Sequence, residues 1–327
     1  MRPDPTPAAP SPWHAGERAL HQGLGLGARM EEIGRHVLRD HMLPQHQSFF
    51  PALPFLVLGA VDAEGDAWAT LRAGPPGFLR ALDSTRLQVE VRRDPADPAE
   101  AGLEDGAAVA VLGIELATRR RNRLNGTLRR NGPEGFTVEV EQSFGNCPQY
   151  IQQREVAPPR DPPAVIAPPQ VSRGLGKRAR AMIAAADSFF VATYVEREDG
   201  RRQVDVSHRG GRPGFVRADD GGVLTIPDFA GNRFFNTLGN IVANPRAGLV
   251  FVDGASGDLL QMTGRAEVIL DSPEIAAFRG AERLWRFTPE AVVLRPGAFP
   301  LRLTLAEGGW APSTLATGSW EHGGVPS

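Results

Sequence analysis

The sequence predicts a mainly β fold with flanking helices, laid out as two β-barrels in tandem. Three observations carry this. Short segments rich in Val, Leu and Ala recur along the chain, broken by Gly, Asp and Pro, which is the pattern of brief strands joined by tight turns. The phrase Gly74-Pro75-Pro76-Gly77-Phe78-Leu79-Arg80 returns as Gly211-Arg212-Pro213-Gly214-Phe215-Val216-Arg217. A proline-rich stretch separates the two occurrences. With 327 residues, 41% of them hydrophobic, the chain is long enough for two cores.

The elements follow in order. Residues 1–12 are rich in proline and predict a disordered N-terminus. From Glu17 to about Met42, Met30, Ile33, Val37 and Leu38 recur at helical spacing, and Pro44 stops the run. Strands are expected at 55–61, 67–73, 86–92 and 107–116, then at 126–130 and 136–144 around an Asn131-Gly132-Pro133 turn. The segment VAPPRDPPAVIAPP (156–169) carries three Pro-Pro pairs and predicts an extended, semi-rigid linker. Ser172 then caps an expected helix striped by Leu175, Ala179, Met182, Ile183 and Ala186. Further strands are expected at 189–195, 203–209, 222–227, 247–253 and 259–270, a helix at 273–285, and loop after Trp310. The expected domains are a barrel with N-terminal helices at 13–155, the linker at 156–170, a second barrel at 171–309 and a tail at 310–327.

Other matches support a duplication. Ser48-Phe49-Phe50 parallels Ser188-Phe189-Phe190, and Gly126 parallels Gly264. Duplicated barrels are expected to pack as an intrachain pseudo-dimer, because their homologous faces are complementary.

Composition excludes several functions. The 36 Lys and Arg against 38 Asp and Glu leave a formal charge of −2, so the whole chain has no electrostatic reason to seek nucleic acid or anionic membrane. The single cysteine, Cys147, excludes an internal disulfide, a multi-cysteine zinc site and a cysteine-ligated iron–sulfur cluster. No apolar run approaches the roughly 20 residues of a spanning helix. These features predict a cytoplasmic protein without a metal. His36, His41 and His46 are spaced by five, which scatters them around a helix. Gly174-Leu175-Gly176-Lys177 lacks the first glycine and the Ser/Thr of a phosphate loop.

The richest segment runs from Thr225 to Ile241. A strand ends at Pro227, and a loop with Gly231, Asn232 and Arg233 leads into a short helix at Asn236 and Thr237. Backbone N–H groups at a helix start attract anions, Gly231 allows close approach, and Arg233 can fork onto a phosphate. An ordinary capped loop with a surface arginine fits equally. The first copy has Arg92-Arg93-Asp94-Pro95-Ala96-Asp97-Pro98 instead, acidic and proline-broken, so one phosphate site is expected rather than two. The first copy also carries Arg119-Arg120-Arg121-Asn122-Arg123-Leu124-Asn125. On a strand, Arg119, Arg121, Arg123 and Asn125 share a face, either as a solvated basic hairpin or as a positive wall toward a ligand. Asn146 and Gln149, near Cys147, can donate to ring carbonyls of such a ligand.

Val206-Ser207-His208-Arg209-Gly210, Gly214-Phe215-Val216-Arg217 and IPDFAGNRFFNTLGNIVANPRAGLVFVD resemble the pyridoxamine 5′-phosphate oxidase-like family of FMN-binding split barrels. LPFLVLGAVDAEGDAWATLRAGPPGFL and SFGNCPQYI resemble the same superfamily, so the likeness covers roughly residues 13–305. It implies a six-stranded split barrel per half and an FMN between two barrels. It places Ser207 and His208 near the flavin ring and Asn232 and Arg233 near the phosphate, with Thr225, Gly231, Asn236 and Thr237 as further candidate cofactor-binding residues. The family enzyme's Arg and Lys on the strand and its Ser-Arg-Lys loop are replaced here by Ser207-His208 and Gly231-Asn232-Arg233. The resemblance therefore implies the cofactor but not pyridoxamine phosphate as substrate. The expected function is an FMN-dependent oxidoreductase acting on a small molecule, with His208 as the candidate proton relay. The alternative is a module that binds flavin, haem or deazaflavin without turnover. Such a module would pass electrons to a reductase partner in trans, since no ferredoxin-reductase-like segment is present. Whole chains can associate further as homodimers.

Overall fold

Val, Leu, Ile and Phe fill alternate or successive positions of the short segments, so each segment gains most by pairing edge to edge and burying its side chains. The computed structural model describes residues 10–157 and 167–320. In the first half the strands are β1 (Phe55–Val61), β2 (Ala67–Ala73), β3 (Leu79–Ala81), β4 (Arg86–Val89), β5 (Ala108–Glu115), β6 (Arg120–Arg130) and β7 (Phe136–Gly145). Then come β8 (Arg154–Val156) and β9 (Gln170–Ser172). The second half has β10 (Ser188–Glu196), β11 (Arg202–Gly210), β12 (Arg217–Ala218), β13 (Leu224–Phe229), β14 (Arg246–Val252), β15 (Leu259–Ile269), β16 (Ala281–Arg295) and β17 (Leu303–Leu305). The helices are α1 (Ala15–Gly23), α2 (Gly27–Val37), α3 (Pro44–Phe49), α4 (Lys177–Ala185), α5 (Asn236–Ala243), α6 (Pro273–Ala277) and α7 (Pro312–Leu315).

The main sheets have one topology, written twice. The first runs β2-β1-β5-β6-β7-β4-β3 and the second β11-β10-β14-β15-β16-β13-β12, all antiparallel, with β9 added beside β16. Strand for strand these are the same path. The repeated glycines explain part of it. Gly126 and Gly264 each sit where the register slips in a long hairpin. A Cβ there would lie 1.9 Å from the Glu139 carbonyl oxygen or 2.1 Å from that of Thr288, so both bulges demand glycine. Gly74 and Gly211 each pass within contact of the phenylalanine four residues on, Phe78 and Phe215.

Each half has its own core. Leu56, Leu58, Val111, Leu124 and Phe136 fill the first, and Phe189, Val191, Leu249, Trp285 and Phe287 the second. A third core joins them: Phe55, Val57, Leu71 and Leu112 meet Phe190, Ala192, Val206 and Val250. At about 1.5–3 kcal/mol per fully buried large apolar side chain, this shared core holds the halves face to face. No helix among the described residues is long and apolar enough to cross a membrane.

Several expectations need correction. Ser48-Phe49-Phe50 is not the counterpart of Ser188-Phe189-Phe190: Ser48 and Phe49 close α3 and Phe50 follows in a short 3-10 turn, whereas Ser188 opens β10. Ala73 pairs with Phe55 as Gly210 pairs with Ser188, which makes Phe55 the true counterpart of Ser188. The single expected helix at 17–42 is broken at Leu24-Gly25, where Gly25 takes a φ of 68°. Ser172 caps no helix; it pairs with Val292 in β9, and α4 begins at Lys177 after Gly176. The helix expected at 273–285 stops at Ala277. Gly280, at φ 89°, turns the chain into β16, which pairs along its length with β15. The tail after Trp310 includes α7. The N-terminus expected to be disordered, the centre of the proline linker and the end of the tail lie mostly outside the described residues.

Candidate functional site: a basic cleft between the barrels

Strand alternation decides which side chains can meet. On β11, Asp205, Ser207 and Arg209 share one face, and His208 takes the other with Val206. On β6, Arg121, Arg123 and Asn125 share the face turned toward β11. Arg123 crosses between the halves, with Nη1 donating to Asp205 Oδ1 at 3.1 Å and to Asn236 Oδ1 at 2.9 Å, and Nη2 donating to Ser207 Oγ. Asn125 Nδ2 donates to Asp205 Oδ1 at 2.8 Å, and Asn240 Nδ2 to its other oxygen at 3.2 Å. One buried aspartate thus ties both barrels and α5 together.

Above this floor lies an open cleft, with about 840 Å³ of empty space counting the part that merges with solvent. It brings together Arg121, Arg123, Asn146, Gln149, Ser207, His208, Gly231, Asn232, Arg233, Asn236 and Thr237. Thr225 and Asn125 do not line it: Thr225 is buried in β13, and Asn125 lies beneath, against Asp205. Arg119 is not on the strand face at all. It occupies the preceding turn at φ 62° and donates to the carbonyls of Ile151 and Gly309.

Sequence reasoning missed two arginines here. Arg209 and Arg283 both donate to the buried Asp228, at 2.6 and 2.9 Å, and both line the cleft. Arg283 was hidden inside an expected helix that is in fact β16. Arg209 stood next to His208 in the sequence, which is the signal that could have found it. Tyr150 also lines the cleft, its hydroxyl donating to the Ala230 carbonyl at 3.0 Å.

The loop from Ala230 to Phe235 is built from strained backbone. Arg233 and Phe235 both adopt φ 60°, a left-handed conformation that non-glycine residues rarely take. It is held from behind: His21 Nε2 on α1 lies 2.9 Å from the Arg233 carbonyl oxygen, and Phe234 packs on Trp13 and Phe144. Asn232 Oδ1 accepts from the Phe234 N–H at 3.1 Å. No side chain caps the start of α5, so its first N–H groups face the loop without a local acceptor.

Five arginines line the cleft. Arg123 pairs with Asp205, Arg209 and Arg283 with Asp228, and Arg233 lies 3.5 Å from Glu282. Arg121 donates to the Cys147 carbonyl at 2.8 Å and meets no carboxylate among the described residues. Burial, with the neighbouring charges of Arg123 and Arg209, lowers it to about 9; it stays cationic at neutral pH and would be relieved by an incoming anion. Burial first, then the charges of Arg121, Arg209 and Arg154, hold His208 well below its usual range, so its imidazole is neutral. His208 stands edge-on to Phe190, with ring centroids 5.6 Å apart. It also borders a second cavity, where Phe55, Leu71, Leu116 and Met182 face Arg154, Arg178, Asp187 and Asp253.

Four side chains around the cleft carry a buried polar atom without a hydrogen-bond partner: Arg123 Nε, Arg209 Nε, Asn146 Nδ2 and Thr237 Oγ1. Buried donors are rarely left so. Guanidinium, amide and hydroxyl donors converging on one cleft fit a ligand rich in acceptor oxygens. Metal chemistry finds no comparable support, since no cluster of three or more His, Cys, Asp or Glu suited to an ion occurs among the described residues.

Residues 175–296 match the family model described as pyridoxamine 5′-phosphate oxidase. No curated protein matches the chain. Among solved structures, HupZ from Group A Streptococcus is 16% identical, with a TM-score of 0.28, covering 35% of this chain and 89% of its own. The heme storage protein HutZ of Vibrio cholerae is 15% identical (TM-score 0.26, 38% and 95% covered). A FAD-binding protein of Mesorhizobium loti is 16% identical (TM-score 0.27, 39% and 97% covered).

Proposed function

We propose, from the match of residues 175–296 to the pyridoxamine 5′-phosphate oxidase family model, that this chain is a flavoprotein of that split-barrel kind holding one FMN in the cleft between its barrels, and that it works as an oxidoreductase on a small molecule. The carrying observation is that five arginines, and four residues each with an unpartnered buried polar atom, line one cleft that ends at an uncapped helix start. A phosphate is close to dianionic at neutral pH and makes strong charge-assisted bonds to guanidinium and backbone N–H groups.

Arg233, Asn232, Thr237 and the backbone around Gly231 would hold the phosphate. Arg121, Arg123, Asn146, Gln149, Ser207 and His208 would line the rest of the cofactor. When bound, the flavin supplies the redox chemistry, and the protein supplies binding and the electrostatic setting. Ser207 is already oriented by Arg123, so its hydroxyl is directed rather than free to turn. The neutral His208 can exchange a proton without first losing a charge, though its depressed pKa makes it a weak base. The neighbouring cavity, of mixed polar and apolar lining, offers a small substrate room against that imidazole.

The test separates phosphate from ring. Losing a charge-assisted partner costs on the order of 1.5–3 kcal/mol, roughly a tenfold to hundredfold loss of affinity. The Arg233 side chain is 42% exposed, which favours the lower end. Arg233→Ala is expected to weaken FMN about tenfold and leave riboflavin, which has no phosphate, unchanged in a flavin-fluorescence titration. Arg121→Ala is expected to weaken both. Equal FMN affinity in Arg233→Ala and wild type would place the anchor elsewhere.

A further inference from the structure

The shared topology gives every cleft residue a counterpart across the pseudo-twofold axis. Taking Gly74 with Gly211 and Gly126 with Gly264, Ser207 corresponds to Thr70, Arg209 to Arg72 and Arg123 to Gln261. By the same register Leu259 corresponds to Arg121. Arg295 pairs with Leu259, and the Asn146 N–H donates to the Arg121 carbonyl, so Arg295 corresponds to Asn146. These four counterparts also converge, and they converge on one atom group, the carboxylate of Asp97.

Asp97 accepts from Thr70 Oγ1 and from Arg72 Nη1. Its Oδ1 accepts from Gln261 Nε2 at 2.9 Å, and Arg295 Nη1 lies 3.0 Å from Oδ2. It also caps the 3-10 helix Pro98–Gly102 through the Ala99 N–H at 2.9 Å. That helix stands where α5 stands in the other half, and α5 has no side-chain cap. None of Thr70, Arg72, Gln261 or Arg295 is among the side chains with an unpartnered buried polar atom, whereas Arg123, Arg209 and Asn146 are.

We infer that the first half contains a second, latent oxyanion site, a cradle for phosphate or carboxylate, which the chain fills with its own Asp97. The carboxylate sits among the counterparts of Ser207, Arg209, Arg123 and Asn146, so it fills the part of the cleft that lies beyond the proposed phosphate anchor in the other half. It satisfies the same donors and the same helix start, so the site is both neutralised and shut. Asp97 is fully buried; burial opposes its charge, but Arg72, Arg295, Thr70 and Gln261 outweigh that and hold its carboxyl below the usual range. A permanently bound internal anion also welds the halves, because Gln261 and Arg295 come from the second half and Thr70 and Arg72 from the first. This inference rests on the duplication and on local geometry, not on the identity of the cofactor.

The experiment is anion rescue. Asp97→Ala leaves Arg72 with Glu100 alone and Arg295 with Asp94 alone, and opens beside them a small space that an exogenous oxyanion can enter. The variant is expected to melt well below wild type in chloride. Formate or inorganic phosphate, at matched ionic strength, is expected to raise its Tm by roughly 4 °C or more at saturation, with wild type nearly unmoved. If Asp97→Ala does not fold in chloride, the reading is its refolding yield in formate against chloride; recovery supports the inference and equal failure overturns it. A Tm that responds to these anions no more than wild type does also overturns it. No arm uses flavin, so the flavin proposal can fail without touching this result.

Discussion

Glu17 is a buried acid beneath the candidate site, and its chemistry shows how single residues set the conditions under which the site holds together. It is 2% exposed on α1. Its Oε1 accepts from Asn236 Nδ2 at 2.7 Å, and Asn236 in turn accepts from Arg123. Burial first, then the charge of Asp205, raises Glu17 to about 8. Burial lowers its neighbour His14 to about 4. At neutral pH both are uncharged, leaving Arg123 and Asp205 as the buried ion pair. The sign of the linkage follows from the raised pKa. The fold favours protonated Glu17, so its contribution is fully present below the ordinary carboxyl range near 4.5 and is lost as pH rises to about 8. Glu17→Gln keeps an acceptor for Asn236 but cannot ionise. Wild type is therefore expected to lose stability relative to Glu17→Gln between about pH 5 and 8, with no further divergence above. Parallel Tm curves for the two proteins across that range would show that Glu17 does not titrate in the fold. Neither His14 nor Glu17 was legible as part of the site, because nothing in a linear sequence shows that α1 lies on α5.

At the scale of elements, the contact of α1 with α5 is the least expected feature and the one that most directly supports the candidate loop. The helices cross at a glycine pair. A Cβ on Gly16 would lie 2.0 Å from the Gly239 carbonyl oxygen, and one on Gly239 would lie 2.6 Å from Glu17 Cγ. This approach carries His21 to the Arg233 carbonyl and Trp13 to Phe234. Gly16→Ala must push the helices apart, at about 1–3 kcal/mol for overpacking a tight contact. It is expected to lower Tm and weaken FMN while leaving β-sheet content by circular dichroism unchanged; an unaltered Tm and FMN affinity would mean that α1 does not brace the loop. Central strands were legible because their Val-, Leu- and Ala-rich runs fit buried sheet, and β1, β2, β5, β10 and β14 fall close to expectation. The two- and three-residue strands β3, β12 and β17 were not, since so few residues carry no period. The segment at 273–285 was misread because Ile275, Ala276, Phe278 and Leu284 also suit a helical stripe. Pairing with β15 and the left-handed Gly280 decide the matter, and both are tertiary or backbone facts.

At the scale of the whole molecule, the duplication was the most legible feature, and it has diverged into two unlike halves. The glycine phrases at 74 and 211 and the bulge glycines at 126 and 264 mark the same places in two sheets of identical order. They survive in both copies for the physical reason that any Cβ there collides with its surroundings. Most of the site residues drawn from the second copy, with Arg121 and Arg123 of the arginine run, line one cleft although they are up to 116 positions apart in the chain, from Arg121 to Thr237, whereas Thr225 and Asn125 do not. Of the missing members, Arg283 lay in a strand misread as a helix and Asp228 one residue beyond the expected end of its strand, while Arg209 lay inside the expected strand at 203–209, beside His208. Across the axis, the acidic stretch from Asp94 to Glu100 turns a potential second cleft into an internal ion network: Asp97 and Glu100 neutralise Arg72, and Asp94 neutralises Arg295. The chain is thus proposed to be a two-barrel unit with one open anion site. Counting tests this most directly: equilibrium dialysis of the full chain against FMN, with protein concentration fixed by amino-acid analysis. Saturation at one FMN per chain is expected; saturation at two, or no binding at all, would contradict it.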